Sequence, residues 1–320
     1  MARPSCGFAT KLKYLVLCGV AWMALASSSF AAVYAVTGGG GPSARSLFTL
    51  DVSSGDVTLV GEVGYPMTGL VATSDGALLA YTPDTTNCGW WECHEPAILH
   101  LNPADGSVTA LEPVDLSGTI TEDTQIQDLA IHPITGRVFA VGYYGVFGEL
   151  LGIGSGSVTY QPIDILETSD FFSCGAAEFA PNNSDVLLCT DWCESEFSPS
   201  SGLHALQTNG YYLGSIATTN SLIGMGAVNG QMYGHVYRGG CGGLGPDNQG
   251  DFVVLDVDTG VQTVIKSGAN VPYIHDIAFP NVLAPPTPES VPVPALPAYL
   301  LVALSGLLAV FGFVRTRASS

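Results

Sequence analysis

The sequence predicts an all-β fold, a ring of five four-stranded sheets closed by a strand from the N-terminus. Three observations carry that reading. A strand–turn–strand motif recurs near every fifty residues, a second strand pair follows each copy, and the last copy lacks strands that the start of the chain can supply. The 320 residues are 47% hydrophobic and only 12% charged, which excludes a disordered chain, because disorder requires low hydrophobicity. Nine Lys and Arg against 28 Asp and Glu leave a formal charge of −19. That excludes a nucleic-acid surface, since phosphates need clustered cations.

The first motif reads Leu50-Asp51-Val52-Ser53-Ser54-Gly55, Leu101-Asn102-Pro103-Ala104-Asp105-Gly106 and Leu255-Asp256-Val257-Asp258-Thr259-Gly260. Degenerate copies end at Gly156 and Gly210, so the five glycines are spaced by 51, 50, 54 and 50 residues. An Asx residue opening the turn and a glycine closing it suit a short hairpin. The second motif runs from Gly69-Leu70-Val71-Ala72 through Ser74-Asp75-Gly76 to Leu78-Leu79-Ala80-Tyr81. It recurs from Asp128-Leu129-Ala130-Ile131 to Val138-Phe139-Ala140-Val141, from Ala176 to Cys189, and from Gly224 to His235. Asp276-Ile277-Ala278-Phe279 is a last first-half with no second strand, whereas Val33-Tyr34-Ala35-Val36 is a strand without a partner. Joining the two completes a five-bladed β-propeller of four-stranded blades over residues 32–284, with no exposed sheet edge.

Two ends lie outside that ring. Arg3, Lys11 and Lys13 lead into the apolar stretch Tyr14 to Ala26, and Ser29 and Ala31 suit a cleavage site, so residues 1–31 read as a secretory signal peptide for the Sec route. The stretch is shorter than the roughly 20 residues a membrane span needs. At the other end, residues 285–294 form a Pro-rich linker, residues 295–314 an uncharged apolar helix long enough to cross a bilayer, and residues 315–320 a basic tail. Arg315 and Arg317 place that tail in the cytoplasm and the ring outside it.

Val291, Pro292, Val293, Pro294 and Ala295, followed by the apolar span and the two arginines, resemble the PEP-CTERM sorting tails of Gram-negative bacteria, in a Val-Pro-x-Pro-Ala variant without the Pro-Glu-Pro triplet. The resemblance covers roughly the last thirty residues. It implies an exosortase-type membrane peptidase as a partner, and either anchoring at the membrane or release to the cell surface or medium. A plain C-terminal anchor is the alternative. The strands over residues 33–280 resemble, in pattern only, those of the YVTN/NHL-like propeller superfamily, whose members bind, scaffold or catalyse. A fold of that kind does not itself imply a function.

From Arg45 to Glu289 stand all 28 acids and only Arg45, Arg137, Arg238 and Lys266, a net charge of −24. Such a surface repels anions and favours cations. A salty habitat explains the acidity equally well.

Strands of alternating direction place their connections on two faces. One face carries short turns (Ser53-Ser54-Gly55, Ser74-Asp75-Gly76, Asn229-Gly230), and the other carries the long loops 82–96, 113–125, 163–173, 191–201 and 237–250. Long loops on a rigid frame commonly hold function. These contain Trp90, Trp91 and Trp192, with Tyr143, Tyr144, Phe171, Phe172 and Tyr237 nearby, and acids including Glu122, Asp123, Asp164, Glu167, Asp170, Asp191, Glu194 and Glu196. Aromatic faces beside carboxylates suit sugar rings, which stack and donate hydroxyl hydrogen bonds. Trp90, Trp91, Trp192, Tyr143 and Tyr144 are therefore the ligand-binding candidates.

The six cysteines beyond the signal lie on or beside the same face, and an even number in an exported chain indicates disulfides. Cys88 and Cys93 bracket one loop and pair with each other. Cys174 falls almost opposite Cys189 in a hairpin, which leaves Cys193 for Cys241. Without a paired C-x₂-C, thiol metal binding is the weaker reading.

Catalytic motifs are absent. Gly152-Ile153-Gly154-Ser155-Gly156 is a turn between strands, not a nucleophile elbow, and the Gly38–Gly41 run lacks the lysine and helix of a phosphate loop. The channel mouth offers Asp128, Asp276 and His275, with Glu178 further along its strand, and an Asp in that place more often accepts backbone N–H bonds at the strand entry than holds a metal. Two readings follow. The first is a surface-displayed or released propeller that binds extracellular polysaccharide or another surface component through the long loops and has no catalytic residues. The second is a metal-dependent hydrolase of the lactonase or glycosidase type, with Asp128, Asp276 and His275 in the channel. Calcium on loop carboxylates is the one cofactor left open.

Overall fold

The computed structural model describes residues 32–38, 43–83, 95–116, 126–142, 145–166, 174–191, 202–237, 250–268 and 274–279. All of them fall in the first of two units, Met1–Asn281; the second, Val282–Ser320, lies outside the described residues, and with it the linker, the apolar helix and the sorting motif. The signal peptide also lies outside them.

Among the described residues the fold is all-β, in five consecutive antiparallel meanders. The first joins β1 (Val33–Thr37), β2 (Ser46–Asp51) and β3 (Asp56–Glu62) to the last strand, β20 (Ile274–Ala278). The second is β4 (Gly69–Ala72), β5 (Leu78–Thr82), β6 (Ala97–Leu101) and β7 (Val108–Asp115). The third is β8 (Ile126–Ile131), β9 (Val138–Gly142), β10 (Phe147–Leu151) and β11 (Val158–Pro162). The fourth is β12 (Cys174–Ala180), β13 (Asn183–Asp191), β14 (Gly202–Gln207) and β15 (Tyr212–Ala217). The fifth is β16 (Leu222–Val228), β17 (Gln231–Tyr237), β18 (Gly250–Leu255) and β19 (Gln262–Gly268). The second and third merge into one eight-stranded sheet, because β7 runs parallel to β11 with Val114 opposite Val158.

The closing strand behaves as the sequence predicts. Ala35 pairs with Ile277 and Tyr34 with Ala278, so the two ends of the ring share a sheet. Inner strands touch in cyclic order: β4 on β8, β8 on β12, β12 on β16, β16 on β20, and β20 on β4. Both faces of the inner strands are therefore covered, and β4, β5, β8 and β9 are buried throughout, whereas β3 and β15 keep exposed positions at the rim. Apolar side chains sit between neighbouring meanders rather than in one centre. Leu47, Met67 and Leu78 pack between the first and second, Tyr81 and Leu129 between the second and third, and Phe139 and Phe179 between the third and fourth. Leu203 with Met225, and Leu50 with Phe252, fill the other two seams. At roughly 25 cal/mol per Å² of apolar surface removed from water, these seams are the main favourable term holding the ring shut.

The five periodic glycines have a role that spacing alone did not reveal. Gly55, Gly106, Gly156, Gly210 and Gly260 all adopt positive φ in the turn before the outermost strand. Each of those turns abuts the end of the preceding meander's outer strand. Gly55 lies on Lys266, Gly106 on Gly61, Gly210 on Asp164 and Gly260 on Ala217. At the remaining seam the Glu112 carboxylate accepts the N–H groups of Gly154 and Gly156. A side chain at Gly210 or Gly260 would collide with a carbonyl oxygen, so glycine is required there for contact as well as for φ.

Candidate functional site

The inner strands carry three acids, and each is positioned by strand alternation. Asp128 stands in β8, Asp276 in β20 and Glu178 in β12. Asp128 and Asp276 are buried; Glu178 is half-buried. Each carboxyl accepts the N–H of the next residue in its own strand: Leu129, Ile277 and Phe179, all at 2.7 Å. Each also reaches a neighbouring inner strand. Asp128 Oδ2 accepts the Ala177 N–H at 2.7 Å, Asp276 Oδ2 accepts that of Leu70 at 2.5 Å, and Glu178 accepts that of Ala227. Asp276 accepts from Met225 as well. The acids therefore tie the inner ring, accepting backbone N–H groups as an Asp at a strand entry commonly does.

Between β4 and β8 no carboxylate intervenes. Gly69 lies so close to Leu129 N that a Cβ would stand 2.7 Å from it, and Thr68 Oγ1 donates to the Ile126 carbonyl at 3.4 Å. With Gly69 in that position the Asp128 and Asp276 carboxyls hydrogen-bond to each other. Burial raises both above the ordinary carboxylate range, and the Asp276 charge pushes Asp128 up further. Burial, reinforced by the Asp276 charge, raises Glu178 to about 8. His275 is buried beside Gly38, and burial lowers it to about 4. His235 is lowered to about 3 by burial and by the neighbouring His275. Buried imidazoles held neutral in this way are packing groups. Among the described residues no three His, Cys, Asp or Glu side chains are grouped so that they could hold a metal ion.

A cavity of about 390 Å³ opens where the inner strands end, on the short-turn face. Glu178 lines it, with Ile131, Phe179 and Phe279 and the turns at Asn182–Ser184 and Asn229–Gly230. Sequence reasoning assigned function to the opposite face and passed over this one. The two amide-rich turns, one in each of two neighbouring meanders, were the available signal.

Of the long-loop candidates, Trp90, Trp91, Trp192, Tyr143 and Tyr144 lie outside the described residues, as do Cys88, Cys93, Cys193 and Cys241. Cys174 and Cys189 are joined by a disulfide, with Cα atoms 5.6 Å apart. Asp191 accepts a hydrogen bond from His204 at 3.1 Å, and the other ring nitrogen of His204 meets the Tyr212 hydroxyl at 3.1 Å. Asp191 is thus part of a three-strand network within the fourth meander. Asp164 is exposed beside Gly210.

No protein-family model and no curated protein matches the chain. Among solved structures it is similar to a protein of unknown function from Bacteroides caccae (13% identity, 77% of this chain and 98% of that one, TM-score 0.45). It is also similar to a Bacteroides uniformis protein provisionally assigned as a 6-phosphogluconolactonase (11% identity, 74% and 82%, TM-score 0.40). A third is a luciferin-regenerating enzyme (10% identity, 70% and 68%, TM-score 0.38).

Proposed function

We propose that the five meanders are the blades of a closed five-bladed β-propeller that is exported, held outside the cytoplasm by the apolar residues 295–314, and serves as a binding protein for glycan or another extracellular component. The observation that favours binding over hydrolysis is the engagement of Asp128 and Asp276, whose oxygens accept backbone N–H groups from four inner strands. These bonds give both acids a structural part in the inner ring that needs no metal and no activated water. The ligand face is the long-loop face, where the sequence concentrates Trp90, Trp91 and Trp192 among acids. The terminal Val291–Ala295 motif, span and arginines support processing by an exosortase-type peptidase, with display or release as the outcome.

Glycan-array binding of the full chain, with W91A and W192A beside it, tests the proposal. Retention lost in both variants at an unchanged melting temperature supports it. Retention unaffected by either, or lactone or glycoside turnover that D128N and D276N abolish without unfolding, overturns it.

A further inference from the structure

The cavity on the short-turn face lies at the opposite end of the ring from the proposed glycan surface and needs its own account. Among the described residues Glu178 is the one titratable side chain in its lining, and no Lys, Arg or His accompanies it. Its walls include Ile131, Val228 and Phe279, and its rim bears Asn182 and Asn229. Asn229 and Gly230 both adopt positive φ, at 52° and 78°, which fixes that rim as a tight two-residue turn. We propose that this cavity binds a small organic cation, an ammonium-bearing molecule that pairs with the Glu178 carboxylate.

Four features favour that class. A volume of about 390 Å³ holds an organic molecule of several heavy atoms, and a bare ion would leave most of it empty. The donor groups for a divalent metal are not assembled among the described residues. The −24 charge of the surrounding segment repels anions and draws cations. Amide oxygens at the rim accept ammonium N–H bonds, and the apolar walls suit the carbon groups attached to the nitrogen.

The exchange is a proton leaving Glu178 for solvent as the cation arrives. Glu178 is protonated at neutral pH for the reasons given above, so a cation gains the full attraction of a carboxylate once that proton departs. The groups facing Glu178 are Asp276 from β20 and, hydrogen-bonded to Asp276, Asp128 from β8. His132, after β8, packs on Phe179 with ring centroids 5.0 Å apart and lies 3.7 Å from Asp185. β16 contributes no titratable side chain.

Isothermal titration calorimetry of the full chain at pH 7, in two buffers of different ionisation enthalpy, tests the site. The probes are tetramethylammonium and 1,4-diaminobutane, with glucose and calcium chloride as comparators. An ammonium probe is expected to bind at millimolar concentration or below and to release about one proton. E178Q is expected to weaken binding about tenfold or more, the loss of one charged hydrogen bond. N182W, a substitution at an exposed rim position that shades the mouth, should weaken it likewise with folding intact. Absence of ammonium binding, binding without proton release, or undiminished binding by N182W overturns the proposal. Glucose binding that N182W abolishes, with no ammonium binding, replaces the cation with an uncharged polyol.

Discussion

Gly260 rests directly on the carbonyl of Ala217, closer than any side-chain-bearing residue could approach. The contact joins the turn of one meander to the outer-strand end of the meander before it. Its counterparts at Gly55, Gly106 and Gly210 repeat the arrangement around the ring.

Gly260→Ala should therefore destabilise the protein by about 2–4 kcal/mol, combining left-handed strain with displacement of the Ala217 backbone. Gly76 supplies the control. Its φ is also positive, at 87°, but a Cβ there meets nothing within 4 Å. Gly76→Ala should cost only the strain, about 1–2 kcal/mol. Chemical denaturation of both variants measures the difference, and equal losses would remove the docking role.

Asp276→Ala leaves the buried Leu70 and Ile277 N–H groups without their acceptor, at about 1–3 kcal/mol for each group. Asp276→Asn keeps one acceptor oxygen and should cost less. In the double variant D128N/D276N the loss should fall below the sum of the singles, because the two carboxyls share one hydrogen bond. A denaturation cycle over the four proteins reports this, and strict additivity would contradict the coupling.

Stability should fall as pH rises from about 4.5 to about 8. A carboxyl raised in the folded state binds its proton more tightly there than in the unfolded chain. Its contribution is complete below the unfolded value near 4.5 and is lost as pH rises through the folded value, about 8 for Glu178. The histidines work in reverse. His235 and His275, lowered to about 3 and about 4, cost stability as pH falls from 6.5 towards those values. Melting temperature against pH should peak between the two limbs, and E178Q should flatten the one at higher pH. A limb there identical in E178Q would show that Glu178 is not its source.

The Cys174–Cys189 bridge closes a 15-residue separation, and both cysteines are fully buried. Replacing both by Ala should cost about 3 kcal/mol on loop-entropy grounds, less whatever order the β12–β13 hairpin keeps when unfolded. Alkylating reagents after mild reduction should label neither thiol until denaturant is added. Rapid labelling of the native protein would contradict the burial.

Local pattern alone determined much of this protein. The glycine spacing located the turns, alternating apolar runs located the strands, and the unmatched strands at Val33 and Asp276 identified each other as partners, because these signals lie within a few residues of chain. The Cys174–Cys189 pairing was legible for the same reason, since both cysteines belong to one hairpin. Glu112 was not, although it falls at a buried position of β7, because its partners at Gly154 and Gly156 belong to the next meander. For Asp128 and Asp276 the sequence favoured acceptance of backbone N–H groups at the strand entry, but the donors Ala177 and Leu70 belong to other meanders and were not legible. The cavity beside Glu178 is likewise a product of four strand ends meeting, and no single segment encodes that space.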